Sequence, residues 1–125
     1  MLVSVPPAAF GYCFDPAQAV IEAGDPAGWE AALRAALPRL HAVALADVAF
    51  DHADESQEKN LQPKPRICPL GEGVIDWKKF FAMLAAARFH GPISLHMDYT
   101  PRNPVSAMNK DLDFARTHVD EAWRA

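Results

Sequence analysis

Four positions able to do acid, base or ligand chemistry stand near the downstream ends of apolar runs. Asp15 closes AAFGYCFD, Asp47 lies late in HAVALADVAF, and His96 and Asp98 fall in PISLHMDY. If these runs are parallel strands, their C-terminal ends share one rim, where acids and an imidazole can converge on a divalent cation. His96 and Asp98 are two apart, so on a strand their side chains point the same way, a geometry suited to two ligands or to an acid/base pair. Each residue also has a plainer use. Asp15 before Pro16 suits a turn cap, Asp47 a solvated loop acid, and His96 a hydrogen-bonded structural histidine. Glu72, held between two glycines in PLGEGVIDW, is either a substrate contact at that rim or part of the turn that launches a helix.

The elements that would position these residues alternate. AAFGYCFD has the length and apolarity of a strand buried on both faces. DPAGWEAALRAALPRL reads as a helix with Asp25 as N-cap and Pro26 at the first helical position, and its apolar face comprises Trp29, Leu33, Ala36, Leu37 and Leu40. Pro38 ends or bends it. HAVALADVAF is a second strand. The stretch from Asp51 to Arg66 is polar and proline-bearing, with His52 beside Asp51 and Asp54, and reads as a long exposed loop with a solvated charged surface. A helix then starts at the Asp76 cap, with Trp77, Phe80, Phe81 and Leu84 on one face and Gly91 as its stop. PISLHMDY is the third strand. A last helix carries Val105, Met108, Leu112, Ala115, Val119, Ala122 and Trp123 as a core-facing stripe.

Strand, helix, strand, helix, strand, helix implies parallel strands joined by right-handed crossovers, an α/β architecture of three βα units in a single domain, residues 1–125. Periodicity does not separate a small open sheet from a segment of a barrel. The 125 residues, half of them hydrophobic, suffice for a modest core. A formal charge of −4 with scattered lysines and arginines argues against nucleic acid or anionic membrane as partner. Cys13 and Cys68 form no paired motif, which suits a reducing, cytoplasmic setting. There is no phosphate-cradling glycine loop, GxSxG or HExxH, so nucleotide-dependent, serine-hydrolase and zincin chemistries lack their usual signals.

Taken together, GYCFDPAQAVIEAG, LHAVALADVAF and PLGEGVIDWKKFFAMLAAARFHGPISLHMDY resemble the last third of a xylose isomerase-like TIM barrel, the sugar phosphate isomerase/epimerase superfamily. The resemblance implies the last three units of an eight-stranded barrel, and so a truncated or degenerate member, a homo-oligomer, or a chain whose barrel a partner completes. It implies a metal-dependent isomerase or epimerase that moves protons on a sugar or related polyol, with Mn, Mg, Co or Zn as the divalent metal. Residue by residue, Asp15 matches a metal-binding aspartate and Gln18 stands where a substrate-contacting histidine often follows. Asp47 matches the acid of a His-x-x-Asp motif whose histidine position is Ala44, and His96 takes the place of a glutamate. The expected set is therefore Asp15, His96 and Asp47 for metal, Asp98 for catalysis, and Gln18 and Glu72 for substrate. The alternative is a non-catalytic barrel fragment or a carbohydrate-binding or interaction module.

Overall fold

A computed structural model of the protein describes residues 11–51 and 64–124. Three parallel strands form one sheet in the order β1 (Tyr12–Phe14), β2 (Leu40–Leu45), β5 (Ile93–Leu95). Register pairs Phe14 with Val43 and Val43 with Ile93, and Leu45 lies beside Leu95. Spatial order follows chain order, and two right-handed crossovers running the same way put their helices on one face of the sheet. That is the winding of a barrel wall rather than of a doubly wound open sheet, where the order would reverse.

The helices on that face are α1 (Pro16–Ala23), α2 (Gly28–Ala36), α3 (Trp77–Ala86) and α4 (Pro104–Arg124). One core joins them, and Phe14, Val43 and Leu45 of the sheet pack with Trp29, Leu33, Trp77, Phe80, Phe81 and Leu84. Phe80 is its hub. Its ring lies 6.3 Å from Phe14, 5.8 Å from Trp29 and 5.2 Å from Trp77, tying β1, α2 and α3 together. Phe80 and Phe81 are fully buried, and each such ring contributes on the order of 1.5–3 kcal/mol. No described helix is long and apolar enough to cross a membrane.

The expected α/β alternation is present, with corrections. Pro16–Ala23, expected only as a turn, is a helix whose N-cap is Asp15 and which stops at Gly24, at φ +65°. The next helix starts at Gly28 instead of Pro26, because the Asp25 carboxylate accepts the Ala27 amide and holds a turn first. The second apolar run is not one strand. It leaves the parallel sheet at Ala46 and continues as β3 (Asp47–Asp51), which pairs antiparallel with β4 (Lys64–Cys68). The end of the expected loop is thus a strand, since β3 supplies partners for its backbone groups; residues 52–63, with His52 and Asp54, lie outside the described residues, as do residues 8–10 of the first run.

The Asp76 cap on α3 is as expected, accepting the Lys79 amide. The helix ends at Ala86, where Arg88 takes the left-handed conformation (φ 58°), before Gly91. In α4 the stripe holds only in its later turns. Ala115 is buried and Val119, Ala122 and Trp123 pack on the core, whereas Val105 and Met108 are exposed because the first turns of α4 reach past α3.

Two glycines separate conformational from steric need. A Cβ at Gly24 would meet nothing within 4 Å, whereas one at Gly73 would run into the Asp47 carboxylate and the Val48 carbonyl. Gly24→Ala should cost about 1 kcal/mol through its left-handed backbone alone. Gly73→Ala should cost more, roughly 2–4 kcal/mol, because a buried hydrogen-bonded group must move. Urea melts of the two variants check the order, and equal costs would contradict the close approach at Gly73.

Candidate functional site

The rim is built where β1 and β5 end on either side of β2. Asp15 follows β1, and its Oδ1 caps α1 by accepting the Gln18 amide at 3.1 Å. His96 follows β5, fixed by its own amide donating to the Leu45 carbonyl at 2.8 Å. The Nδ1 of His96 then lies 3.5 Å from Oδ2 of Asp15, a contact that becomes an ion pair when the imidazole is protonated. Both side chains keep solvent access. The cap reading and the rim reading of Asp15 are therefore compatible, because one carboxylate oxygen serves each.

Asp47 is used differently. It is completely buried, not a solvated acid, and its two oxygens accept five hydrogen bonds. The amides of Val48, Gly71, Gly73 and Ile75 donate at 2.9–3.2 Å, and the Trp77 indole donates at 2.8 Å. PLGEGVIDW is thus a loop wrapped around a carboxylate, with its glycines where backbone must approach that closely. Burial of a charge is tolerable when it is this fully hydrogen-bonded. With its acceptor sites filled in this way, Asp47 does not serve as a metal ligand in this arrangement.

Glu72 and Asp98 come together elsewhere. They line a cleft of about 830 Å³ between the loop following β4, the segment following β5, and the first turns of α4. Leu70, Pro101 and Phe114 supply apolar wall. Asp111 of α4 lies in the lining at 4 % exposure, accepting the Tyr99 hydroxyl at 2.6 Å and the Leu70 amide at 3.2 Å. Burial, then the hydrogen bond to Asp111, pushes the Tyr99 phenol above its usual range. Gln18 lies on the opposite side, in a groove it shares with Asp15 beside β1, where its Nε2 approaches Glu22 at 3.5 Å. The expected set therefore divides into Asp15 with His96 and Gln18, Glu72 with Asp98, and Asp47 in the loop. β5 ends at Leu95, so the two-residue alternation that would align His96 with Asp98 does not hold. Asp111, inside a helical pattern, gave no signal by spacing; only its place in an otherwise apolar stripe region marked it.

The sequence model of the family described as xylose isomerase-like TIM barrel matches residues 1–118. The chain belongs to that family. No curated protein matches it. In the xylose isomerase-like TIM barrel the three parallel strands and their one-sided helices are wall, and Asp15 and His96 stand on its rim. A resident divalent ion takes four or more ligands. Ala44 is buried without a donor, and among the described residues no group of three or more histidine, cysteine, aspartate or glutamate side chains is arranged to hold a metal. Asp15 and His96 by themselves do not fit such an ion.

Cys68, at the end of β4, sits against this loop. Burial, with the Asp47 charge second, pushes its thiol from 9.0 up to about 11. The unfolded chain gives up this proton at lower pH than the folded one. The thiol's contribution is therefore intact below about pH 9 and is lost as pH rises toward 11, a decline of roughly 2 kcal/mol. Cys68→Ala should flatten that part of the stability–pH curve in urea melts between pH 8.5 and 11; an unchanged slope would refute the assignment.

Proposed function

We propose that the protein acts as a sugar isomerase or epimerase of its family, moving a proton on a sugar or related polyol, with His96 as the proton-transferring group and Asp15 as its charge partner. The observation that carries this reading is the 3.5 Å approach of the two side chains across the rim. A carboxylate beside an imidazole stabilises the imidazolium formed when the ring takes a proton, and imidazole exchanges protons near neutral pH. Gln18, whose amide is tied to Asp15, is placed to donate to a substrate hydroxyl from the same side. No step is derived through a metal, since the donor set here does not reach a coordination shell. The test is proton exchange: NMR should show deuterium from solvent entering an aldose or ketose at the carbon next to the carbonyl. Absence of exchange over a panel of pentoses and hexoses, with or without added divalent cation, would count against it.

A second reading, a non-catalytic sugar-binding relative, is favoured by one observation, the donor-free Ala44 at 1 % exposure. Saturable sugar binding without exchange is its expected result.

A further inference from the structure

The two buried aspartates are unequally satisfied. Asp47 accepts five hydrogen bonds, whereas Asp111, at 4 % exposure, accepts two among the described residues. An ionised carboxylate has about four acceptor sites. Asp111 therefore retains acceptor capacity, and the open side it faces is the 830 Å³ cleft.

The charges around that cleft decide what completes it. Glu72, Asp98 and Asp111 line it with Arg66 and Lys110. Arg66 is already engaged, its Nε donating to both oxygens of Asp51 at 3.0 and 3.3 Å. Three carboxylates then face the ammonium of Lys110, and the first turn of α4 adds only about half a positive charge. The Asn103 side chain already takes up the Ser106 amide of that turn. An anionic ligand would meet net repulsion; a neutral molecule rich in hydroxyl donors would meet acceptors, with Leu70, Pro101 and Phe114 against its C–H faces.

We infer that this cleft selects neutral, polyhydroxylated ligands and rejects phosphorylated ones, with Glu72, Asp98 and Asp111 as the specificity-determining residues. The choice of a polyol rests on the sugar-converting reading above; the discrimination by charge rests on the cleft alone.

The probes are D-ribose and ribose 5-phosphate, titrated into the full chain and followed by amide chemical shifts of residues 66–72 and 98–111. Ribose should bind, and its phosphate should bind at least roughly tenfold more weakly. Glu72→Gln with Asp98→Asn, both exposed positions, should bring the two affinities within about threefold of each other, while Asp111→Asn, checked first by its melt, should weaken ribose. Equal or tighter binding of the phosphate by the unaltered protein, discrimination that survives in the double variant, or no binding of either probe would overturn the inference. His96→Gln should leave the ratio of affinities unchanged. A protein that discriminates but catalyses no proton exchange would refute the isomerase reading and leave this one standing.

Discussion

Asp47→Ala should lower stability by about 3–5 kcal/mol, the largest effect of any single substitution considered for this chain. The side chain is completely buried and its oxygens take five donors, four of them backbone amides. Alanine would leave those amides and the Trp77 indole facing a cavity, and each buried donor without a partner costs about 1–3 kcal/mol before the loop relaxes. Relaxation is limited, because Ile75 and Trp77 are core residues and cannot turn outward without opening it. Asp47→Asn is the sharper variant. It keeps the volume, but its amide nitrogen must point a donor at donors, so it too should destabilise, by about 2 kcal/mol or more. Urea denaturation gives both values, and a loss below about 1 kcal/mol for alanine would mean that the carboxylate is not what holds the loop.

His96→Gln should reduce proton exchange on the responsive sugar by about 10²- to 10⁴-fold, the usual contribution of a positioned acid or base, with little change in stability because the ring is half-exposed. Asp15 allows a cleaner separation. Asparagine caps helices as well as aspartate does, so Asp15→Asn keeps the bond to the Gln18 amide while removing the charge beside His96. It should lower exchange at an unchanged melting temperature, whereas Asp15→Ala should lower both, the stability by about 1 kcal/mol. Exchange rates in Asp15→Asn equal to those of the unaltered protein would remove the carboxylate from the chemistry.

Much of the wall was legible in the residues. Trp77, Phe80, Phe81 and Leu84 recur at helical spacing and are buried together, and the Asp76 cap is where its side chain could accept a third-residue amide. The α/β alternation follows from the same patterns, and Asp15 at a strand end proved to face His96. What was not legible depends on contacts distant in sequence. HAVALADVAF is apolar throughout, so nothing local shows that its first half pairs with parallel strands and its second with Lys64–Cys68. The use of Asp47 rests on donors 24 to 30 residues downstream. Val105 and Met108 have the spacing of core residues, but spacing fixes a helical face and not how far the neighbouring helix extends beneath it.

The bend at Ala46 has a mechanical meaning. One length of chain serves as a wall strand on one side of that residue and as an arm of the rim hairpin on the other. Asp47, the first residue of the arm, is bonded to the loop that leads into α3. Hairpin, loop and helix start are therefore coupled as a lever whose pivot lies inside the core. A ligand pressing on Glu72 would not displace a loose surface loop; its load would pass through Asp47 to the strand between Asp15 and His96.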